Sequence, residues 1–138
     1  MLVLGVPMLG IFVIFGVTFL SMLGRIENPR PNYSEFRDAI NILESRMNWA
    51  ETHDGLRIYI TGILTNKTSV AWQSLEFDCR FFDGAGRLVD AGNGRGGMTV
   101  GPNDTTAFRV SIIPTVPTNS YATFRCSVSA ARNAKSWL

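Results

Sequence analysis

The first 24 residues of this 138-residue chain contain no Lys, Arg, His, Asp or Glu. As a helix, a segment of this length would span about 36 Å, which is enough to cross a hydrocarbon core of roughly 30 Å. A cleavable signal peptide would instead carry a basic start and a small-residue cleavage site, but no Lys or Arg precedes the apolar stretch and no Ala-x-Ala follows it. We therefore expect residues 1–24 to form a single transmembrane helix that stays in the mature chain.

Residues able to carry chemistry are scarce. The chain has one histidine, His53, and two cysteines, too few to close a four-ligand zinc site without carboxylates at unusual spacing. His53 lies beside Asp54 in a stretch typical of a solvated turn, and no Gly-x-Ser-x-Gly element occurs. The glycine-rich stretch over residues 92–97 lacks the Gly-Lys-Ser/Thr ending of a phosphate loop and predicts a flexible hairpin loop. We expect no catalytic residue, no metal site, no cofactor of the chain's own and no small-molecule substrate.

Charge is also low in either sign. Thirteen basic residues against eleven acidic ones give a formal net charge of +2, and the basic residues are scattered along the chain. Nucleic-acid binding normally requires clustered Lys and Arg, so we expect no nucleic-acid partner.

Residues 25–54 predict a linker that contains a short amphipathic helix over residues 34–48. Pro29 and Pro31 favour a stiff exit from the membrane. Apolar residues then recur at helical spacing, at Phe36, Ala39, Ile40, Leu43 and Met47. We expect this helix to cover an open face of the following domain. A position on the membrane interface or on a partner subunit is the alternative.

From residue 55 onward the apolar period changes to two, which is typical of strands. Six strands are predicted, over residues 56–66, 74–82, 86–92, 96–102, 105–113 and 121–130, with turn residues between them. Short strands at this spacing without intervening helices predict an antiparallel β-sandwich over residues 55–138. Alternation places Cys79 and Cys126 on core-facing positions. The sequence leaves open whether they form a disulfide or remain two buried thiols.

Four pieces of this pattern resemble the FxLYD family of immunoglobulin-like or fibronectin-like envelope domains. They are ITGILTN (60–66), Trp72, CRFFD (79–83) and GAGRLV (84–89), and the turn at Gly101-Pro102-Asn103 before Phe108 is also similar. The family takes its name from the motif Phe-x-Leu-Tyr-Asp. This chain departs from the motif at three of the four positions, since Cys79, Phe81 and Phe82 stand where the family has Phe, Leu and Tyr. The resemblance implies an extracytoplasmic binding or structural module, with structural roles for Gly62, Asn66, Trp72, Phe81, Phe82, Asp83 and Gly86.

The predicted transmembrane helix has two different faces. On a helical wheel one side collects aromatic, Met and Gly residues, which allow close packing against another helix, and the opposite side carries aliphatic residues such as Val13 and Val17. We interpret the first side as a partner-helix face, and contact there with a partner's pigment, quinone or lipid stays open. Its members are Gly5, Met8, Phe12, Phe15, Gly16 and Phe19.

The orientation in the membrane rests on opposing indications. Arg25, Arg30 and Arg37 follow the helix while no charged side chain precedes it, which on the positive-inside rule favours a cytoplasmic domain. The envelope-type sandwich and the paired cysteines favour the other side. We expect a single-pass protein of the cell membrane with its domain on the extracytoplasmic, periplasmic side.

These observations favour a non-catalytic accessory subunit of a multi-subunit membrane complex, whose partners are integral membrane proteins and the lipid bilayer. One alternative is a pilin-like self-assembling subunit processed after Gly10, although Phe15 stands where most pilins carry Glu. The other is a membrane-tethered binding module, which would show an exposed aromatic cluster for which Trp72 and Tyr59 are the candidates.

Overall fold

The computed structural model describes residues 32–134, so the predicted transmembrane helix over residues 1–24 and its partner-helix face lie outside it. Six antiparallel strands form two three-stranded sheets. They are β1 (Ile40–Thr52), β2 (Gly55–Asn66), β3 (Trp72–Phe82), β4 (Leu88–Val100), β5 (Thr105–Ile112) and β6 (Thr123–Asn133). Sheet A has the order β1-β2-β5 and sheet B the order β4-β3-β6. The prediction of a small all-β antiparallel domain is confirmed, and the two sheets are consistent with a sandwich.

Helices are few and short in this part of the chain. Three 3-10 turns cover Tyr33–Glu35, Arg37–Ala39 and Thr118–Ser120. Within residues 32–134 no helix is long and apolar enough to cross a membrane.

The hydrophobic core lies between the two sheets and is formed by alternate residues of their central strands. Ile58 and Ile60 of β2 and Phe77 of β3 are completely buried. Phe77 stacks on Phe108 of β5 with ring centroids 4.8 Å apart, a contact that joins sheet B to sheet A. Burial of such side chains, worth roughly 1.5–3 kcal/mol each, is what holds the sheets together.

The amphipathic helix predicted over residues 34–48 is wrong, because most of that stretch belongs to β1. β1 pairs with β2 from Ile40 to Thr52 around a two-residue turn, and its register shifts between Ile42 and Glu44. This bulge interrupts the alternation of a strand and leaves Leu43 61% exposed, so apolar residues fall at spacings that imitate a helix. The sheet domain therefore begins at Ile40, not at residue 55.

The segment before β1 covers one end of the core. Tyr33 is buried and meets the Trp72 ring edge-on at 5.3 Å, while Phe36 lies 5.7 Å from the same ring. The Asn32 side chain accepts a hydrogen bond from the Ser34 amide at 3.3 Å and begins the first 3-10 turn.

The two strands predicted over residues 86–92 and 96–102 are one continuous strand, and the hairpin loop predicted at residues 92–97 is wrong. These glycines lie within β4, where a Cβ on Gly92 would be 2.5 Å from Ile112 Cγ2 and one on Gly94 would be 2.9 Å from Val110 Cβ. Because glycine has no side chain, the side chains of β5 can approach the β4 backbone closely. This contact joins the two sheets along their β4 and β5 edges.

The chain enters and leaves the domain at the same end. The Lys67 amide donates to the Ala39 carbonyl and the Ala134 amide donates to the Ala71 carbonyl, each at 2.9 Å. The hairpin at His53 and the turn after Phe82 lie at the opposite end of the strands.

Candidate functional site

Asn66 is completely buried and organises the loops at the end where the chain enters. Its Nδ2 donates to the carbonyls of Val70 and Gly101 at 2.7 Å each, and its Oδ1 accepts from the Thr68 amide at 3.0 Å and the Thr68 hydroxyl at 2.7 Å. The Thr68 hydroxyl in turn accepts from Trp72 Nε1 at 3.1 Å. Every polar atom of the Asn66 amide is used within the fold, so these residues hold loops in place.

Gly62 and Phe81 are packing positions. A Cβ on Gly62 would lie 2.1 Å from the Glu44 carbonyl oxygen, so glycine is required beside the β1 bulge. Phe81 is fully buried and meets Tyr121 edge-on at 5.2 Å. Phe82, one residue later, points to the outside of sheet B, where the Arg125 guanidinium lies 5.5 Å from its ring centroid.

Asp83 forms the turn between β3 and β4. Its Oδ1 accepts from the Ala85 and Arg87 amides at 2.9 Å each, and its Oδ2 accepts from Arg87 Nε at 2.8 Å. The hydrogen bond from the Arg87 amide, helped by the Arg87 side chain and the Ala85 amide, lowers the pKa of Asp83 despite the opposing effect of desolvation. Gly86 has φ +78°, which a side chain would disfavour.

Cys79 and Cys126 lie opposite each other on β3 and β6. Of the two states that the sequence left open, the structure has the disulfide. Cys79 is buried and Cys126 is partly buried, so the bond lies on the inner side of sheet B next to its edge. It joins two neighbouring strands of one sheet and does not cross between the sheets.

Sequence reasoning missed a buried carboxylate at the other end of the domain. Asp90 on β4 accepts hydrogen bonds from the Tyr121 hydroxyl, from the Thr115 hydroxyl at 2.7 Å, and from the amides of Thr115 and Ala91 at 3.0 and 2.8 Å. Burial by itself raises the pKa of Asp90, but these hydrogen bonds outweigh it and leave the pKa below its ordinary value. Burial, together with the bond to Asp90, raises the pKa of Tyr121.

A groove of about 590 Å³ runs between β1 and β6, at the open side of the sandwich. Two carboxylates line it, Asp38 just before β1 and Asp78 on β3, together with Arg80. The groove is lined by Asp38, Ile40, Asn41, Ile42, Asp78, Arg80, Cys126, Ser127, Val128 and Ser129.

The outer face of sheet A is basic. Arg46 on β1 and Arg109 on β5 both pair with Thr61 of the central strand, so they flank it in one row. The Arg109 guanidinium lies 4.3 Å from the centroid of the Tyr59 ring, and Arg57 precedes Tyr59 on the same face. We call Arg46, Arg57, Arg109, Tyr59 and Thr61 the arginine face.

Within the described residues none of these three arginines has a carboxylate within 4.0 Å. Glu44 is the one acidic residue at the outward positions of β1, β2 and β5.

The other sequence candidates are dispersed. Trp72 is fully buried, so its assignment to an exposed aromatic cluster is wrong, and Tyr59 is half-buried beneath Arg109. His53 is fully exposed and its Nδ1 lies 3.4 Å from Asp54 Oδ1 in the β1–β2 turn. Across residues 32–134 no three His, Cys, Asp or Glu side chains are grouped so that they could hold a metal ion.

Comparisons with family models, with curated proteins and with solved structures give no match for this chain. The resemblance to the FxLYD family therefore stays a prediction.

Proposed function

We propose that this protein is a non-catalytic, single-pass accessory subunit of a multi-subunit membrane complex. Its N-terminal helix packs on partner helices, and its β domain caps the extracytoplasmic face of the assembly. The observation that carries the proposal is the run of 24 residues without a charged side chain, followed within a few residues by a compact β domain.

The interior of the domain supports a structural role. Among the described residues, every buried side-chain nitrogen or oxygen has a hydrogen-bond partner. Asn66, Asp83 and Asp90 each use their polar atoms within the fold, and backbone groups of loops are among the partners of all three. Buried polar groups used in this way fix the shape of a module, whereas a catalytic group must offer an atom to a substrate.

We further propose that the domain is immunoglobulin-like and related to the FxLYD family. The order β1-β2-β5 corresponds to strands A, B and E of such a sandwich, and β4-β3-β6 corresponds to C′, C and F. The Tyr121 hydroxyl also accepts from the Val116 amide at 3.4 Å just before β6, as a tyrosine corner would. The disulfide within one sheet departs from the inter-sheet bond of antibody domains.

The extracytoplasmic side is supported by the Cys79–Cys126 disulfide, because such bonds persist in oxidising compartments and are rare in the cytosol. The side of the membrane on which the β domain lies is tested by treating intact cells with a protein-labelling reagent that cannot cross the membrane. Labelling of the β domain only after lysis would contradict it.

Membership of a complex is tested by solubilising membranes in a mild detergent and separating them by native electrophoresis. We expect the chain to migrate with larger partners, which mass spectrometry would identify. Migration as a lone small protein would overturn the proposal. N-terminal sequencing of the same material separates the pilin-like alternative, since a chain that begins at Ile11 would favour a filament.

A further inference from the structure

We propose that the arginine face binds the phosphate headgroups of anionic phospholipids, so that the outer surface of sheet A lies against the membrane. The inference rests on the proposed function in one respect, which is that the chain is held at a bilayer. It adds a specific lipid chemistry and the surface of the domain that meets it.

The charge arrangement is the first argument. Arg46 and Arg109 occupy the same row on either side of Thr61, which separates their backbones by about 10 Å at ordinary strand spacing. Across two strands the repulsion between exposed guanidinium groups is largely screened, so it costs the sheet little. In the described part of the chain no carboxylate lies within 4.0 Å of either group, so both can bind an external anion over Thr61.

The chemistry of the side chains is the second argument. A guanidinium group presents a planar set of donors that matches phosphate in two-point hydrogen bonding. Tyr59 supports Arg109 from below at 4.3 Å and limits its rotamers, which reduces the entropy lost when an anion binds. Thr61 adds a hydroxyl between the two arginines.

The shape of the surface and the predicted anchor favour a membrane as the occupant. The face is the outside of a three-stranded sheet, and most outward positions around Thr61 are polar or charged, although the exposed Leu43 lies at the β1 bulge. Such a surface suits headgroups more than acyl chains. A chain anchored by the predicted helix would have seven residues, 25–31, between that helix and the first described residue.

Sheet B provides an internal comparison. On its outer face Arg95 forms an ion pair with Glu76, and Asp78 lies two residues from Arg80 on β3. Arg125 rests on Phe82 much as Arg109 rests on Tyr59. The pair Arg80 and Arg125 is therefore a matched control for Arg46 and Arg109, with equal charge and a similar cation–π contact.

The experiment uses the full chain in nanodiscs of phosphatidylcholine alone or of phosphatidylcholine with phosphatidylglycerol. A fluorophore is attached to S111C, on the exposed face of sheet A, or to S127C, on the exposed face of sheet B. Quenching by the neutral molecule acrylamide reports how accessible each label is. We expect the S111C label to be shielded only when phosphatidylglycerol is present, with high salt abolishing the shielding, and the S127C label to stay accessible.

Charge variants then assign the effect to residues. Each arginine near an anionic surface contributes roughly a fivefold preference, so the double variant R46Q/R109Q should lower the ratio of docked to undocked domain by roughly 25-fold. The matched variant R80Q/R125Q should change it little. Equal shielding in both lipids, or equal losses in both double variants, would overturn the proposal.

Failure of the proposed function would look different. If the chain does not stay in nanodiscs after an alkaline wash, the anchor is wrong, and sedimentation with phosphatidylglycerol vesicles still tests the face. Salt-sensitive binding lost in R46Q/R109Q would then support the arginine face without the anchor. Binding that is unaffected by those substitutions would overturn it.

Discussion

Asp90 is a buried carboxylate that remains charged because four hydrogen bonds converge on it. Its pKa in the folded domain lies below the ordinary value of 3.8. The stabilisation is therefore fully present above about pH 4 and is lost as the pH falls through the lowered folded pKa. At neutral pH we expect Asp90→Asn to lower the free energy of unfolding by about 1–3 kcal/mol. The NH2 group of Asn would face amide and hydroxyl donors that now bind a carboxylate oxygen.

Urea unfolding of the wild type and of Asp90→Asn across a pH series measures this effect. The difference between the two proteins should shrink as the solution becomes more acidic than Asp90's ordinary pKa. Asp83, whose pKa is also lowered, is present in both proteins and cancels in the comparison. A difference that does not depend on pH would show that the charge on Asp90 contributes nothing.

Replacing Asn66 by the somewhat smaller alanine should cause a large loss of stability. Asn66→Ala removes one hydrogen-bond partner each from the Thr68 amide and from the partly buried carbonyls of Val70 and Gly101, and we expect it to cost about 3 kcal/mol or more. Asn48, which is exposed on β1, is the matched control, and Asn48→Ala should stay within about 0.5 kcal/mol. Chemical unfolding of both variants decides it, and similar midpoints would contradict the role given to Asn66.

At the scale of residues, the sequence predicts what is local. Asp83 lies between two predicted strands, and it forms its turn with groups that are within four positions of it in the sequence. Asp90 and Tyr121 are 31 positions apart, and no local pattern brings them together. A carboxylate in an otherwise alternating strand was the available signal, but surface strands carry such residues routinely.

At the scale of elements, the glycines of β4 should differ in how well they tolerate a side chain. Gly94→Ala would place a Cβ 2.9 Å from Val110 Cβ, and we expect this overpacking to cost about 1–3 kcal/mol. Gly97 lies on the same strand with nothing within 4 Å of an added Cβ. Gly97→Ala should be neutral, or stabilising by about 0.4–1 kcal/mol through the unfolded chain. Thermal unfolding of the two variants tests the contrast, and equal effects would mean that β5 does not depend on glycine to approach β4.

The strands that were predicted well are those with uninterrupted alternation. The prediction over residues 56–66 differs by one residue from β2, Gly55–Asn66, and the prediction over 105–113 by one residue from β5, Thr105–Ile112. β1 was mistaken for a helix because its bulge changes the phase of the apolar residues. The sequence divides β4 into two predicted strands because glycines in a local window indicate a turn. In the structure these glycines make room for side chains of β5, and a contact so distant in sequence leaves no local pattern.

At the scale of the whole molecule, the predicted membrane helix carries its own test. Van der Waals packing drives helix association within a bilayer, so Phe15→Ala should lower association with partner subunits without lowering membrane insertion. Val17→Ala, on the opposite face, should have little effect. Co-purification of partners from equal amounts of inserted protein provides the measurement. Equal retention of both variants would mean that the wrong face was assigned or that the β domain alone holds the subunit in place.

Because the chain enters and leaves the β domain at one end, a tensile force on its two ends would peel strands rather than shear them. β1 would unzip from the Ile40–Asn66 pair and β6 from the Asn133–Trp72 pair, one hydrogen-bonded row at a time. On β6 the peeling would stop at Cys126, seven residues from its end, because the bond to Cys79 is covalent. With that bond intact the 47-residue separation between the cysteines cannot extend, which shortens the fully stretched chain by roughly 160 Å. Under load the disulfide acts as a mechanical stop.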